Sequence, residues 1–399
     1  MRQRQLTIDK FGPVEHVEIV IKKINLFIGQ QSVGKSTVAK LITILTDEIN
    51  LIRLLTGGHP AWKSLLEEYN LNEYLLNQNY KIEYQVLEDK FDLHLLVDKS
   101  RLQKTFKLNG EVVDDIEIIT KTILQAKTLL HREEFQRQFL DLKKNKVQNV
   151  VELIKGSLYI PAERNIVSVI NKIQAILLLS ESVLPKPLLR FMVELNNARE
   201  YCSKREIPLL NISYVWDQGE DYFVIGGRKQ QLPLRIASSG IQSLLPLYIV
   251  LVYSLDKREY SSYVIEEPEC NLFPDKQVDL LKFLLSSMSD DRLTLTITTH
   301  SPYLLSAMNN YLFAGHLLKE TPGVTKDDIE TATNDDIPIL DSDNCSVYSL
   351  GKDINGGGYC KSLINEEIGM IDTNILDGVS VRLGEQFERI DQLLFNESK

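Results

Sequence analysis

Residues 24–37 read INLFIGQQSVGKST, an apolar run followed by a turn that contains glycine. The turn has the form G-x-x-x-x-G-K-[ST], with Gly29 at its start and Gly34, Lys35 and Ser36 at its end. Glycines at this spacing let backbone N–H groups approach phosphate oxygens, and a helix that follows points the positive end of its dipole at them. The stretch therefore predicts a buried strand, a phosphate-binding loop and a helix that begins at Lys35.

The side chains of this loop have expected roles toward a nucleotide. Lys35 would reach the β- and γ-phosphates, and the Ser36 hydroxyl would ligate Mg²⁺. We therefore expect ATP and Mg²⁺ as cofactors. The residues expected to surround the phosphates are Gly29, Gln30, Gln31, Ser32, Val33, Gly34, Lys35, Ser36 and Thr37.

The composition is that of an ordinary globular protein. The chain has 399 residues and a net charge of −10, with 43% hydrophobic and 25% charged residues. The negative charge argues against an unaided, non-specific grip on nucleic acid. The cysteines form neither a C-x-x-C pair nor a zinc pattern, which indicates reduced thiols: Cys202, Cys270, Cys345 and Cys360. No run of 18 apolar residues is present, so we expect no membrane segment and a cytoplasmic protein.

Hydrophobic periodicity divides the chain into four expected parts. Residues 1–59 would hold strands, the phosphate loop and a helix that runs from Lys35 to about Thr56 and ends at Gly57-Gly58. Residues 60–210 would form an inserted lobe with a β-meander, a basic helical stretch at 115–155 and the segment YIPAERN. Residues 211–315 would complete the core, and residues 316–399 would add an exposed acidic loop and a helical tail.

Two consecutive acids follow a short apolar strand at 263–265. A carboxylate at a strand end beside a phosphate loop holds the Mg²⁺ shell, and this is the role expected for Glu266. Glu267, one residue later, would orient and deprotonate the water that attacks the γ-phosphate. The alternative is a pair of exposed acids at a strand end.

A second β-rich run, LTLTITT, ends at His300. A histidine at the end of the neighbouring strand can hydrogen-bond the γ-phosphate or the attacking water, so His300 joins Glu267 and Lys35 as a candidate catalytic residue. The alternative is a capping or core histidine.

The stretch RIASSGIQSLLPL, at 235–247, places small residues at the start of a helix expected from Ile241. Such a helix start is either another anion site or a plain N-cap.

The order of these four motifs resembles that of the ATP-binding-cassette (ABC) class of ATPases, in its SMC, Rad50 and RecF-like branch. The resemblance implies an α/β fold: an ABC-type P-loop ATPase core, with a mixed central sheet flanked by helices and an inserted α/β-helical subdomain. ASSGIQS is similar to the signature motif of that class, which contacts ATP held by the opposite subunit. Ser239 matches the signature serine, Gly240 the first glycine and Gln242 the closing glutamine, while Ile241 replaces the usual second glycine.

The acid motif EEPECNLFP resembles the E-E-P-E-x-x-L-x-P of overcoming-lysogenization-defect (OLD) nucleases. In that family the segment that matches YIPAERN occupies the position of the Q-loop. The resemblance therefore implies that Glu163 and Arg164 are residues of a Q-loop-like segment. OLD nucleases add a Toprim nuclease domain, and Asp341-Ser342-Asp343 is the one D-x-D that could serve it. No convincing partner glutamate precedes it, so the C-terminal part instead resembles stand-alone ATPases of the AAA15/AAA21 type, such as the ATPase subunits of the PARIS or Septu anti-phage systems.

This resemblance implies an ATP-gated switch. Two subunits would close head to tail on two ATP molecules, and homo-oligomers would be built from such dimers. The expected partners are a separate effector, a Toprim- or DUF4435-type nuclease, and a phage-derived trigger.

Three alternatives stay open. One is a DNA-repair clamp of RecF or Rad50 type that uses the basic residues of 121–155, and another is an OLD-like single-chain nuclease. The third is a scaffold that binds ATP without turning it over. Whether nucleic acid is a partner, and whether ATP binding or hydrolysis is the signal, also stays open.

Overall fold

The structure, a computed structural model, describes residues 3–75, 79–87, 91–108, 111–112, 156–170, 184–226, 228, 230–351, 359–365, 367–371, 384 and 386–389. The basic stretch at 115–155 and most of the predicted helical tail lie outside these residues.

The described residues alternate strands and helices. The strands are β1 (Gln3–Phe11), β2 (Val14–Ile21), β3 (Ile24–Gly29), β4 (Lys81–Leu87), β5 (Phe91–Asp98), β6 (Leu102–Leu108), β7 (Glu111–Val112), β8 (Gly156–Ile160), β9 (Lys204–Ile207), β10 (Ile212–Asp217), β11 (Glu220–Ile225), β12 (Leu232–Pro233), β13 (Tyr260–Glu266), β14 (Thr294–Thr299), β15 (Cys345–Leu350), β16 (Cys360–Ser362), β17 (Ile364–Asn365) and β18 (Met370–Ile371). The α-helices are α1 (Lys35–Thr46), α2 (Glu48–Glu68), α3 (Val167–Ile170), α4 (Lys186–Tyr201), α5 (Ser239–Lys257), α6 (Pro274–Ser287), α7 (Pro302–Glu320) and α8 (Lys326–Thr333).

The central sheet has the strand order β16-β15-β3-β14-β13-β8. All of its neighbours pair in parallel except β15 with β16. The parallel strands β3 and β13 are buried on both faces over most of their length, and this includes the polar residues Asn25, Ser261 and Ser262. Because their carboxyl ends meet at one edge, the residues that follow β3, β8, β13 and β14 are brought together there.

A second six-stranded sheet is antiparallel, with the order β2-β1-β4-β5-β6-β7. Its alternating burial, seen in β1 and β4, is that of a sheet with one face on the core. The predicted β-meander at 80–113 is confirmed as β4 to β7, but it extends the N-terminal strands instead of forming a sheet of its own. A smaller antiparallel sheet follows, with the order β12-β11-β10-β9.

The two faces of the central sheet bury different hydrophobic clusters. Leu26 and Ile28 of β3 pack with residues of α4 to α7, whereas Phe27, between them, packs with α1, α2 and the antiparallel sheet. Because successive side chains of a strand point to opposite faces of the sheet, β3 contributes residues to both hydrophobic clusters. The mixed sheet covered by helices confirms the predicted fold class.

The helix after the phosphate loop is shorter than predicted. It ends at Thr46, because the next residue leaves the helical conformation and caps α2 by accepting a hydrogen bond from the Asn50 N–H. This residue, Asp47, also accepts from the Ser157 N–H at 2.7 Å and so fastens the break to β8. The expected stop at Gly57-Gly58 is confirmed as a break within α2, because Gly58 has a non-helical backbone (φ 57, ψ −142) that joins two helices at a kink.

The sheets cross the predicted domain boundaries. Helix α2 spans position 59/60, β8 of the expected inserted lobe lies in the central sheet, and β15 of the expected C-terminal tail pairs with β3. Local sequence patterns do not report such long-range pairings, and the four-part division itself stays a prediction.

Two predictions for the C-terminal part are wrong. The acidic stretch at 327–343 is not all loop, because residues 326–333 form α8, which begins with a capping box between Thr325 and Asp328. The beginning of the expected helical tail is strand, as β16 to β18 show.

Among the described residues, α5 is the one helix whose length and composition would allow it to cross a membrane. It belongs to the hydrophobic core, where Leu244 to Leu251 are buried and pack beside α4.

Candidate functional site

The phosphate loop joins β3 to α1 and depends on glycine where the chain turns. Gly34 has a left-handed backbone (φ 88), and a Cβ there would lie 2.7 Å from Val14 Cγ2. A side chain at this position would therefore be both strained and obstructed. Gly34 is also the N-cap residue of α1, so the N–H groups of the first helical turn open toward the loop.

The side chain of Lys35, the first residue of α1, folds back onto the phosphate loop. Its Nζ donates to the carbonyl oxygens of Gly29 at 2.8 Å and Gln30 at 2.7 Å. Burial lowers the pKa of Lys35 to about 8, although Glu267, Glu266 and Glu269 oppose this shift by favouring the charged form. The three carboxylates at the edge of the sheet therefore favour the charged ammonium group, and burial disfavours it.

Glu266, the last residue of β13, is 4% exposed. Burial raises the pKa of its carboxyl, while hydrogen bonds from Tyr159 and Ser36 act in the opposite direction. Within the described part of the chain, Glu266 Oε1 has no hydrogen-bond partner. A buried carboxylate oxygen without a partner, beside a serine hydroxyl, fits the oxygen ligands that Mg²⁺ takes.

Glu267 turns away from the strand through a left-handed backbone (φ 41), held by its N–H, which donates to the Thr298 carbonyl at 2.9 Å. Both carboxylate oxygens have neighbours. Oε1 is 3.3 Å from His300 Nε2, and Oε2 accepts from Cys270 Sγ at 3.2 Å. Glu267 and His300 are each about one-third exposed, so they can meet solvent and a ligand.

Glu269 is a buried part of this site that the sequence analysis missed. One of its oxygens accepts from Thr299 Oγ1 at 2.5 Å and from the His300 N–H at 3.0 Å. Glu269 thus fixes the turn after β14 against the turn at the end of β13, residues 266–269, which is named the acid turn. Burial raises the pKa of this carboxyl. The sequence did indicate this residue, because Glu269 is the second glutamate of the E-P-E within EEPECNLFP.

Tyr159 was also missed. It is 7% exposed on β8, and burial together with its hydrogen bond to Glu266 raises the pKa of its hydroxyl. A tyrosine in an otherwise apolar strand that ends at the sheet edge was the available signal.

The signature-like helix α5 begins at Ser239, two residues earlier than predicted. The side chain of its N-cap, Ser238, does not cap the helix, and Ser238 and Ser239 are exposed. Gly240 is required by close packing, because a Cβ there would lie 2.8 Å from the Asn271 carbonyl oxygen. Gln242 donates to the carbonyls of Leu234 and Arg235, so its amide braces the preceding loop.

The two residues that the resemblance assigns to a Q-loop-like segment differ in burial. Glu163 is exposed, whereas Arg164 is fully buried beneath the acid turn.

The D-x-D pair lies away from this edge of the sheet. Lys319 Nζ is 3.1 Å from Asp343 and 4.0 Å from Asp341, and Asp341 accepts from the Asp343 N–H. The residues that the structure describes contain no group of three or more side chains suited to hold a metal ion.

Solved structures that the chain matches include SMC head domains and a recombination mediator protein. The SMC head domain of Thermotoga maritima is 13% identical, covers 77% of this chain and 92% of its own, and gives a TM-score of 0.37. The Smc head domain with a coiled coil and joint from Pyrococcus yayanosii is 11% identical, with coverages of 92% and 98% and a TM-score of 0.41. The recombination mediator protein RecF is 13% identical, with coverages of 75% and 92% and a TM-score of 0.30.

No curated protein sequence matches the chain. A family model, AAA_15, described as AAA ATPase domain, matches residues 1–181 and 164–305. These matches cover more than half of the chain and include the phosphate loop, the acid turn and His300, so the chain belongs to the AAA ATPase domain family AAA_15.

Proposed function

We propose that this protein binds Mg²⁺–ATP at the carboxyl edge of the central sheet and hydrolyses it in a head-to-tail dimer. The observation that carries the proposal is the convergence of four strand ends there. Parallel pairing of β3, β14, β13 and β8 gathers the phosphate loop, the acid turn and His300 around one point.

Binding would use the loop and the helix that follows it. The N–H groups of residues 29–37 would surround the phosphates, with Lys35 leaving the Gly29 and Gln30 carbonyls to bind the β- and γ-phosphates. Ser36 and Glu266 would hold Mg²⁺, which neutralises the charge of the phosphate oxygens when bound.

Hydrolysis would use Glu267 and His300. Glu267 would accept a proton from the attacking water, because its carboxylate is accessible and its two oxygens are oriented by Cys270 and His300. His300, held through its backbone by Glu269, would hydrogen-bond the γ-phosphate or the water.

The site requires a second copy of the chain in this proposal. Ser239 and Gly240 begin α5 at the surface, and the side chain of Ser238 does not cap their N–H groups. A γ-phosphate held by a partner subunit would supply the acceptor for these N–H groups. ATP shared by two chains would then couple nucleotide binding to assembly.

We further propose that the dimer acts as a switch for a separate effector, a Toprim- or DUF4435-type nuclease, in anti-phage defence. The support is the resemblance of EEPECNLFP to OLD nucleases and of the C-terminal part to the stand-alone AAA15/AAA21-type ATPases of anti-phage systems. Hydrolysis would open the dimer and release the effector.

The dimer and effector steps are tested with Glu267→Gln protein, which should hold ATP without hydrolysing it. With ATP and Mg²⁺ we expect its mass in solution to double, while Lys35→Ala stays monomeric. In cells that express the neighbouring genes, a pull-down of Glu267→Gln should recover one specific protein that Lys35→Ala does not.

A Glu267→Gln protein that binds ATP and stays monomeric would refute the dimer. Recovery of DNA alone would replace the effector with a DNA clamp.

A further inference from the structure

Among the residues that the structure describes, the guanidinium of Arg164 donates only to main-chain carbonyls, and all five of its N–H groups are used. Nη1 donates to the Glu266 oxygen at 2.8 Å and Nη2 donates to the Glu267 and Pro268 oxygens at 2.8 and 3.0 Å. The remaining N–H groups donate to the carbonyls of Pro161 at 3.1 Å and Ser243 at 3.3 Å.

These contacts span three separate parts of the chain. Three of the acceptors are consecutive residues of the acid turn, one lies in the turn after β8, and one lies in the first turns of α5. Ser168, two-percent exposed, adds a second link to the same helix by donating to the Gln242 carbonyl at 2.9 Å. The acid turn is therefore tied to the signature-like helix through a single side chain.

The acid turn needs such a tie. Glu267 has a left-handed backbone, which a residue with a Cβ adopts at a cost unless its surroundings enforce it. Three carbonyls in a row that point toward one buried cation fix the peptide planes on both sides of Glu267 and so fix the direction of its side chain. A guanidinium group offers this planar set of donors, and an ammonium group does not.

From these contacts we infer that Arg164 is a positioning residue for ATP hydrolysis. It holds the side chain of Glu267 in line with the γ-phosphate and fixes the position of the acid turn relative to α5. This inference rests on the proposed role of Glu267. Arg164 would not itself bind nucleotide in this role, because its donors are already used by main-chain oxygens.

The test is Arg164→Lys, which keeps the charge and loses the planar set of donors. We expect kcat for ATP hydrolysis to fall about 100-fold, because small misplacement of a reacting group has effects of this size. ATP affinity and KM should stay within about threefold of the unaltered protein, as expected when only the transition state is affected. Arg164→Gln, which buries no charge, should give the same pattern if the lysine variant folds poorly.

Arg199→Lys is the matched control. Arg199 is 1% exposed and pairs with Asp221, at 2.6 Å, so it is an equally buried arginine that lies outside the acid turn. We expect it to lower the melting temperature without lowering kcat.

The double variant Arg164→Lys/Glu267→Gln separates positioning from general destabilisation. If Arg164 acts through Glu267, the double variant hydrolyses ATP no more slowly than Glu267→Gln alone, whereas independent effects would multiply.

The inference is overturned if Arg164→Lys keeps the kcat of the unaltered protein, if it loses ATP affinity in parallel with kcat, or if the two effects multiply. The proposed function fails separately, whatever Arg164 does, if the unaltered protein does not hydrolyse ATP or if Glu267→Gln hydrolyses it equally fast.

Discussion

Glu267→Gln is expected to lower kcat for ATP hydrolysis about 1,000-fold, because the amide cannot accept the proton of the attacking water and a positioned base contributes this order of rate. The amide has the shape of the carboxylate and can still accept from Cys270, so ATP affinity should stay within about threefold. Phosphate release and equilibrium binding of a fluorescent ATP analogue measure the two quantities.

Glu259→Gln provides the matched control. Glu259 is an exposed acid that precedes β13 at the end opposite Glu267, so the same chemical change there should leave kcat unaltered. Equal loss of rate in both variants, or full activity in Glu267→Gln, would show that Glu267 is not the base.

The affinity for ATP is expected to fall as the pH rises through about 8. Burial lowers the pKa of Lys35 to about 8, so the ammonium group that binds phosphate is present below this pH and is lost above it. The terminal phosphate of the ligand, with a second pKa of about 6, is already ionised there. Above pH 8 the affinity should therefore decrease by about tenfold per pH unit. Bound phosphate raises the pKa of Lys35, so the decrease ends at the pH at which Lys35 of the ATP complex loses its proton as well.

Lys35→Met isolates this effect. Its affinity at pH 7 should be about 100-fold weaker, the size of a charge-assisted hydrogen bond, and should not change between pH 7 and 9. An unaltered protein whose ATP affinity is constant from pH 7 to 9 would contradict the role of Lys35 as a phosphate ligand with a lowered pKa. Titration calorimetry at four pH values is sufficient.

The strands, turns and helix that surround the short motifs were predicted correctly, while the roles of the site residues stay predictions. The phosphate loop with its strand and helix, the acids at the end of β13 and the histidine after β14 follow from local pattern, because each needs only a buried strand and the turn behind it. Their meeting at one edge also follows, since parallel strands that alternate with helices bring their carboxyl ends together.

Features that depend on long-range contacts were not predicted. The pairing of β15 with β3 joins residues more than 300 positions apart, and the break at Asp47 is stabilised by Ser157 of a distant strand. Arg164 is the sharpest case, because its position in YIPAERN does not indicate the main-chain acceptors, distant in sequence, that surround it in the fold.

The central claim is that one site is built from two chains, and mixing two inactive variants tests it. Lys35→Ala removes the phosphate-binding side chain, and Ser239→Arg obstructs the exposed start of α5. In a head-to-tail dimer of one of each, one of the two sites keeps Lys35 from the second chain and Ser239 from the first.

We therefore expect each variant alone to be inactive and their equimolar mixture to recover up to about half of the unaltered rate, because only mixed dimers contain a complete site and each of them has one of its two. A mixture as inactive as its components, or a Ser239→Arg protein with full activity, would contradict a shared site and favour hydrolysis within a single chain.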